Sequence, residues 1–277
     1  MSFLSTIRRR FHPLWTIRRT PWLLAIFRAL DFRVWVRPRS LRMKMRIMWF
    51  RDMIWFFDRL PNEPEFNAVI EQLCATIKPK VFWDLGANVG WFSWLVNERS
   101  KPSHVVLFEP LPLNARLLGE TLRRNKFSHM TLVQAAVSDQ CGSVLFKADD
   151  KSGTASQIAA VFEESNEFAC ARGYGLQSEI SVKTTTMDAE IAAGTPVPDL
   201  IKMDIEAAEH LALRGAQRLL DLGRTIIAFE CHQKEAIDIL KARNWEVFSV
   251  DGSNFLAVPP SLIERVSDIT RNLTPVE

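Results

Sequence analysis

Two glycines four residues apart, Gly86 and Gly90, follow an apolar run that carries an acid near its end, Val81-Phe82-Trp83-Asp84-Leu85, and precede a helix-compatible stretch from Trp91 to Glu98. That order reads as strand, tight turn and helix. It constrains the chain more than any other feature, because a strand that feeds a helix in this way belongs to a crossover unit and a parallel sheet. A small ligand is expected on the turn.

Charge narrows the choice of ligand. A dinucleotide turn has the spacing G-x-G-x-x-G, and its amides and helix N-terminus receive a pyrophosphate. Here only Gly86 and Gly90 are present, and Asp84 stands where the strand ends. A carboxylate there would repel a pyrophosphate and attract a cationic ligand such as S-adenosyl-L-methionine, which carries an ammonium and a sulfonium and no phosphate. The next apolar run, His104 to Phe108, ends in Glu109-Pro110, 25 residues after Asp84. A doubly wound fold places there the carboxylate that binds ribose hydroxyls. The expected cofactor contacts are therefore Asp84, Gly86, Ala87, Asn88, Gly90, Glu109 and Pro110. Ala136 and Val137 would lie beside an adenine, and Asp204 would reach in from a later strand. The competing view is two solvated acids at strand ends.

The rest of the chain repeats the strand and helix alternation. Glu65 to Ile77 has a helical pattern, Leu113 to Asn125 reads as a helix, and Met130 to Val137 as a third strand. Asp199 to Glu206 and Thr225 to His232 read as strands with polar carboxyl ends, and Trp245–Val250 with Phe255–Val258 as a closing hairpin. Ser143–Lys147 and Ile180–Thr186 alternate like exposed strands around a polar segment, Ala148 to Glu179, expected to act as a lid. The whole gives a doubly wound α/β sheet with its site along the carboxyl edge.

Residues 1–60 differ in character. They hold 14 Lys+Arg against 3 Asp+Glu, whereas the remainder holds 21 against 29. Arginines alternate with Trp, Phe, Leu and Ile, and two short helices are expected, one facing with Trp22, Leu23, Ile26, Phe27 and Leu30, the other with Phe50, Met53, Ile54 and Phe57. No stretch reaches the ~20 apolar residues of a membrane span. Four readings stay open: helices lying on an anionic membrane surface, a helical cap on the same chain or on a second copy in a homo-oligomer, an RNA-binding arm, and a mitochondrial presequence. Pro61-Asn62-Glu63-Pro64 divides an N-terminal extension, residues 1–64, from a cofactor-binding domain, 65–277. The four cysteines, Cys74, Cys141, Cys170 and Cys231, form no C-x-x-C pair and read as buried reduced thiols of a cytoplasmic protein, peripheral at the membrane face if the extension binds there.

The motifs together resemble the FkbM-type S-adenosylmethionine-dependent methyltransferases. The matching residues are Asp84-Leu85-Gly86-Ala87-Asn88-Val89-Gly90, Phe108-Glu109-Pro110, Ala135-Ala136-Val137-Ser138, Ile201-Lys202-Met203-Asp204-Ile205-Glu206-Ala207-Ala208-Glu209 with Leu213-Arg214-Gly215-Ala216, and Phe229-Glu230-Cys231-His232. The resemblance covers roughly residues 65 to 250 and leaves out the basic N-terminal part. It implies a class I methyltransferase fold, a Rossmann-like, mostly parallel seven-stranded sheet with helices on both faces, here preceded by a basic, aromatic-rich helical extension. It also implies O-methylation of a hydroxyl on a sugar, glycolipid or other small molecule. One position departs from the pattern: Ala207 stands where D-x-E-G-A-E has glycine.

An alcohol is a poor nucleophile while it keeps its proton, so a general base is expected. His232 at a strand's carboxyl end is the first candidate, oriented by Glu230 or Glu206. Asp204 and Glu206 are its rivals, and Lys202 pairs with an acid or takes part itself. Asp204, Glu206, Glu209 and His232 could also collect around Mg²⁺, but acids at strand ends more often serve as hydrogen-bonding groups, and no metal is expected. An RNA methyltransferase is the alternative enzyme, against which stands the absence of the Asn/Asp-Pro-Pro-aromatic tetrapeptide of many base-amino methyltransferases. A cofactor-binding module without turnover is the alternative outside catalysis.

Overall fold

The structure is a computed structural model that describes residues 22, 26, 29–52, 63–149, 157–158, 177–231 and 233–277. Its centre is an eight-stranded sheet. Strands β3 (Val81–Leu85), β4 (His104–Phe108), β5 (Met130–Val133), β10 (Leu200–Met203) and β11 (Ile226–Glu230) run parallel, in the order β5-β4-β3-β10-β11. The antiparallel pair β12 (Glu246–Ser249) and β13 (Asn254–Val258) continues the sheet through β13. These are the seven expected strands; a two-residue strand, β14 (Thr274–Pro275), adds an eighth at the β12 edge. Strand order reverses between β3 and β10, where ligands bind in such sheets.

Buried apolar runs make the strands. β3, β4 and β10 are buried almost throughout, as strands covered on both faces must be. On one face lie α1 (Pro64–Ile77) and α2 (Trp91–Ser100), joined by the Phe66–Phe92 edge contact at 5.4 Å. Because α2 sits between the sheet and α1, Trp91 to Val96 are all buried. Helix α3 (Pro112–Asn125) opens with proline at its first turn, where a missing N–H costs nothing, and ends at the left-handed Lys126.

Several expectations are corrected. The stretch Met130–Val137 is two strands: β5 ends at Val133, and Ala136–Val137 (β6) pairs with β9 (Gln177–Thr185) in a separate four-stranded sheet with β7 (Gly142–Asp149) and β8 (Gln157–Ile158). Of the expected lid, only the ends that extend β7 and β9, and β8, are described. After β10 the chain forms two short helices, α4 (Glu209–Arg214) and α5 (Gln217–Asp221); between them the Gly215 carbonyl accepts from Asp188 N, and a Cβ on Gly215 would stand 2.2 Å from the Ser138 carbonyl oxygen. Cys141, expected to be buried, is exposed; His210 is buried, and Cys170 lies outside the described residues.

The extension, expected to be helical, contains strands among its described residues. Arg33–Val36 (β1) and Met45–Met48 (β2) form an antiparallel hairpin whose period-two alternation turns Val36, Met45 and Ile47 inward and Trp35 outward. Those inward residues join the hydrophobic cluster that holds Phe66, Leu73, Trp94 and Leu118, so the hairpin packs into the same core as the sheet. The Arg46 amide also donates to Thr121 Oγ1 on α3. Trp22, Ile26 and Ala29 are helical, and of the second expected helix residues 53–57 lie outside the described chain.

Candidate functional site

The turn after β3 is shaped by contacts that only glycine permits. Gly86 has φ +77°, and a Cβ there would meet the Asp204 carbonyl oxygen at 2.0 Å. Gly90 has φ +82° and lies under the Trp94 ring, whose indole N–H donates to Val89 O. The amides of the turn are spent within it and on β4: Gly86 and Ala87 donate to Phe108 O, Asn88 to Glu109 Oε2 at 2.7 Å, and Gly90 to Ala87 O. None of those four amides is left for a phosphate.

Asp84 faces away from the ligand side. Its Oδ2 accepts from the amide and hydroxyl of Ser93, at 3.1 and 2.7 Å, and its Oδ1 lies 3.6 Å from Lys202 Nζ. The carboxylate thus ties the strand end to the start of α2. Lys202 donates to Gly86 O at 3.1 Å, lies 3.5 Å from Asp204 Oδ2 and sits 5.4 Å from the Phe92 ring centroid. Burial alone would depress its ammonium, but Asp204, Asp84 and Glu63 hold its pKa above the ordinary value. This lysine is a buried fixed charge and not a proton donor near neutrality.

A cleft opens beside the turn. Gly86, Asn88, Glu109 and Pro110 line it from the turn and the end of β4, and Asp204 and Glu206 from the end of β10. Ala136, Val137 and Phe146 make the wall from the smaller sheet. Asp84, Ala87, Gly90 and Lys202 do not line it, and His232 lies outside the described residues.

Glu109 is 3% exposed, and its second oxygen accepts from the Leu111 amide at 2.9 Å. Burial raises its pKa to about 7 against the pull of the Leu111 and Asn88 amides. Next to it Asn114, 1% exposed, donates through Nδ2 to Asn88 Oδ1, while its own Oδ1 is buried without a partner at the cleft. Sequence reasoning missed Asn114, although its position five residues after Glu109 on α3 could have flagged it.

Around Asp204, at the β10 end, acids from distant segments come together. Burial, opposed by Lys202 and reinforced by Glu230, raises Asp204 to about 6; its side chain keeps 31% exposure towards the cleft, so solvent moderates that effect. Glu63, which caps α1 in a left-handed conformation (φ 56°), is raised to about 7 by burial and then by Asp204 and Glu230. Its carbonyl accepts from Asn67 N and Nδ2, and Asn67 Oδ1 accepts from the Trp91 indole, so α2 holds this residue in place. Glu63 fell on the supposed domain boundary and was missed. Glu209 is buried, with Ile205 N donating to it, and burial raises it to about 8. No group of three or more His, Cys, Asp or Glu side chains among the described residues is disposed to hold a metal ion. Glu206 (φ 56°) and Ala207 (φ 70°) are both left-handed, so the alanine that replaces the pattern's glycine keeps the glycine's backbone.

Comparison with known proteins follows the same lines. The family model described as the methyltransferase FkbM domain matches residues 84–246. Among solved structures, methyltransferase FkbM from Methylobacillus flagellatus KT aligns with TM-score 0.46 and 19% identity over 65% of this chain and 43% of that one. The chain therefore spans less than half the length of that relative. Precorrin-6y C5,15-methyltransferase from Geobacter metallireducens GS-15 aligns with TM-score 0.41 and 13% identity over 72% and 89% of the two chains. A methyltransferase from Geobacter sulfurreducens gives 0.42 and 14% over 75% and 85%. No curated protein sequence matches.

Proposed function

Because the chain belongs to the FkbM methyltransferase family, we propose that it moves a methyl group from S-adenosyl-L-methionine to a hydroxyl of a sugar, glycolipid or other small molecule. The observation that carries this is the charge of the cleft: three carboxyl residues, Glu109, Asp204 and Glu206, line it, and among the described residues no lysine or arginine does. Such a lining suits a cationic cofactor and opposes a phosphate-bearing one.

The residues present fit the cofactor. Glu109 would take the ribose hydroxyls with the lone pairs left after its two amide bonds, and the orphaned Asn114 Oδ1 offers a second acceptor next to it. Pro110, Ala136 and Val137 would flank the base. When bound, the sulfonium supplies an electrophilic methyl group. The protein's own work is to hold an acceptor oxygen in line and to receive its proton, and alignment accounts for much of the acceleration. Asp204 sits where it can receive that proton: it opens to the cleft, it is held near neutrality, and Glu230 couples to it. Lys202 fixes Asp204 and the Gly86 carbonyl, and Asp84 fixes the turn from behind. Glu206 would contact the acceptor hydroxyl.

The test is methyl transfer from labelled cofactor to a panel of sugars, glycolipids and small alcohols. Asp204→Asn should lower kcat on the preferred acceptor by about 10²-fold or more while cofactor affinity changes little. Methylation only at nitrogen or carbon, or full turnover by Asp204→Asn, would sink the hydroxyl reading.

A further inference from the structure

The outer face of the hairpin and the adjoining face of α3 gather a charge excess that the cleft does not use. Glu120 stands at its centre, with Arg33 at 2.6 Å, Arg46 at 3.2 Å and Arg116 at 3.3 Å. Arg46 and Arg124 each place a guanidinium 5.1 Å from the centroid of the Trp35 ring. Four guanidinium groups thus surround one carboxylate and one indole, and Trp35 is still 37% exposed.

Apolar side chains lie open beside this charge. Phe32, directly before β1, is 57% exposed even though its ring stacks on Trp49 at 6.0 Å, and Leu113 is 41% exposed on the α3 face that carries Arg116, Glu120 and Arg124. Trp22, Ile26 and Leu30 follow at intervals of four, so they share one side of a helix, and the Leu30 amide donates to Ile26 O. All three are about half or more exposed, at 65%, 49% and 60%. Their side of the helix is turned to solvent and not to the core.

We propose that this face docks on an anionic lipid surface. Guanidinium groups would meet headgroup phosphates, Trp35 would lie at the headgroup level, and Leu30, Ile26 and Phe32 would enter the acyl boundary. Charge complementarity decides the partner: the described residues 29–52 carry seven Lys+Arg against two Asp, and Arg116 and Arg124 add to them from α3, so an anionic surface attracts this face. An RNA would satisfy the arginines but would give the aliphatic side chains no apolar phase to enter. No helix among the described residues is long and apolar enough to cross a membrane, and docking of this kind needs none.

The test is vesicle flotation of the full chain, with phosphatidylcholine alone and with about one-third phosphatidylglycerol added. Binding should need the anionic lipid and should fall steeply in about 0.5 M salt. Arg116→Glu with Arg124→Glu, both exposed on α3, should weaken it roughly tenfold or more. Leu30→Ser with Phe32→Ser should weaken it independently of salt, and unchanged melting temperatures would show that these variants fold. Equal binding to both vesicle types, no binding to either, or binding that both double variants retain would overturn the proposal. So would salt-dependent binding to single-stranded RNA with no flotation.

Discussion

The two ends of the cleft are built on opposite plans. At the turn end, contiguous residues from Asp84 to Gly90 and the tip of β4 fix the backbone, and hydrogen bonds of 2.6 to 3.0 Å hold the amides of Gly86, Ala87, Asn88 and Gly90. At the β10 end, Asp204 lines the cleft while Glu63 and Glu230 act on it from separated segments, and burial together with mutual repulsion raises Glu63 to about 7 and Asp204 to about 6. The first plan gives a rigid seat; the second gives proton-accepting capacity at neutral pH. Lys202 joins them, because its Nζ reaches Asp84, Asp204 and the Gly86 carbonyl.

Breaking that joint should have the largest effect. Lys202→Met leaves the buried Asp84 without its cation and should cost about 3–5 kcal/mol, read from the urea midpoint. Adding Asp84→Asn should recover part of the loss, and no recovery would show that the pair does not couple the two ends. Next comes Gly86→Ala, which forces a Cβ against the Asp204 carbonyl at a positive φ; a loss of about 2–3 kcal/mol is expected, together with weaker cofactor binding. The same change at Gly119, which has ordinary φ and no neighbour closer than 3.4 Å, should be tolerated.

Titration separates the ends further. Glu109 and Glu209, with ordinary values of 4.5, rise to about 7 and about 8 in the fold. The folded protein then binds more protons than the unfolded chain between these values, so their contribution to stability is full below about pH 4.5 and is lost as pH rises through 7 to 8. Glu209→Gln should flatten the upper part of that fall, by up to about 1.4 kcal/mol per pH unit. A slope unchanged by the substitution would mean that Glu209 ionises normally. The smallest effect is expected at Ala207, where glycine relieves a left-handed alanine: Ala207→Gly should be neutral to about 1 kcal/mol stabilising in a thermal melt, whereas Ala207→Val should destabilise.

The same contrast governs what the amino-acid order reveals. Strand β3, its turn, Glu109 and the closing hairpin β12–β13 are legible because each is a local pattern: an apolar run, a glycine that a close approach demands, an acid at a strand end. Glu63 is illegible because its role depends on α1 and α2 packing together, and flanking prolines make it look like a linker. Asp84 is legible as a special residue, but sequence does not say which way its carboxylate turns. Strand β1 was missed because Arg33-Val34-Trp35-Val36 is four residues of alternation inside a segment whose apolar residues also fit helical faces. The need for glycine at Gly215 comes from the Ser138 carbonyl, far away in the chain.

The most direct measurement is calorimetric titration of S-adenosyl-L-methionine into the wild type, Glu109→Ala, Asn114→Leu and Asp84→Asn at neutral pH. Roughly micromolar binding by the wild type is expected, abolished in Glu109→Ala, at least tenfold weaker in Asn114→Leu, and weakened in Asp84→Asn only as far as its melting temperature falls. No binding by the folded wild type, or affinity that survives the loss of the Glu109 carboxylate, would contradict the assignment of this cleft to the cofactor.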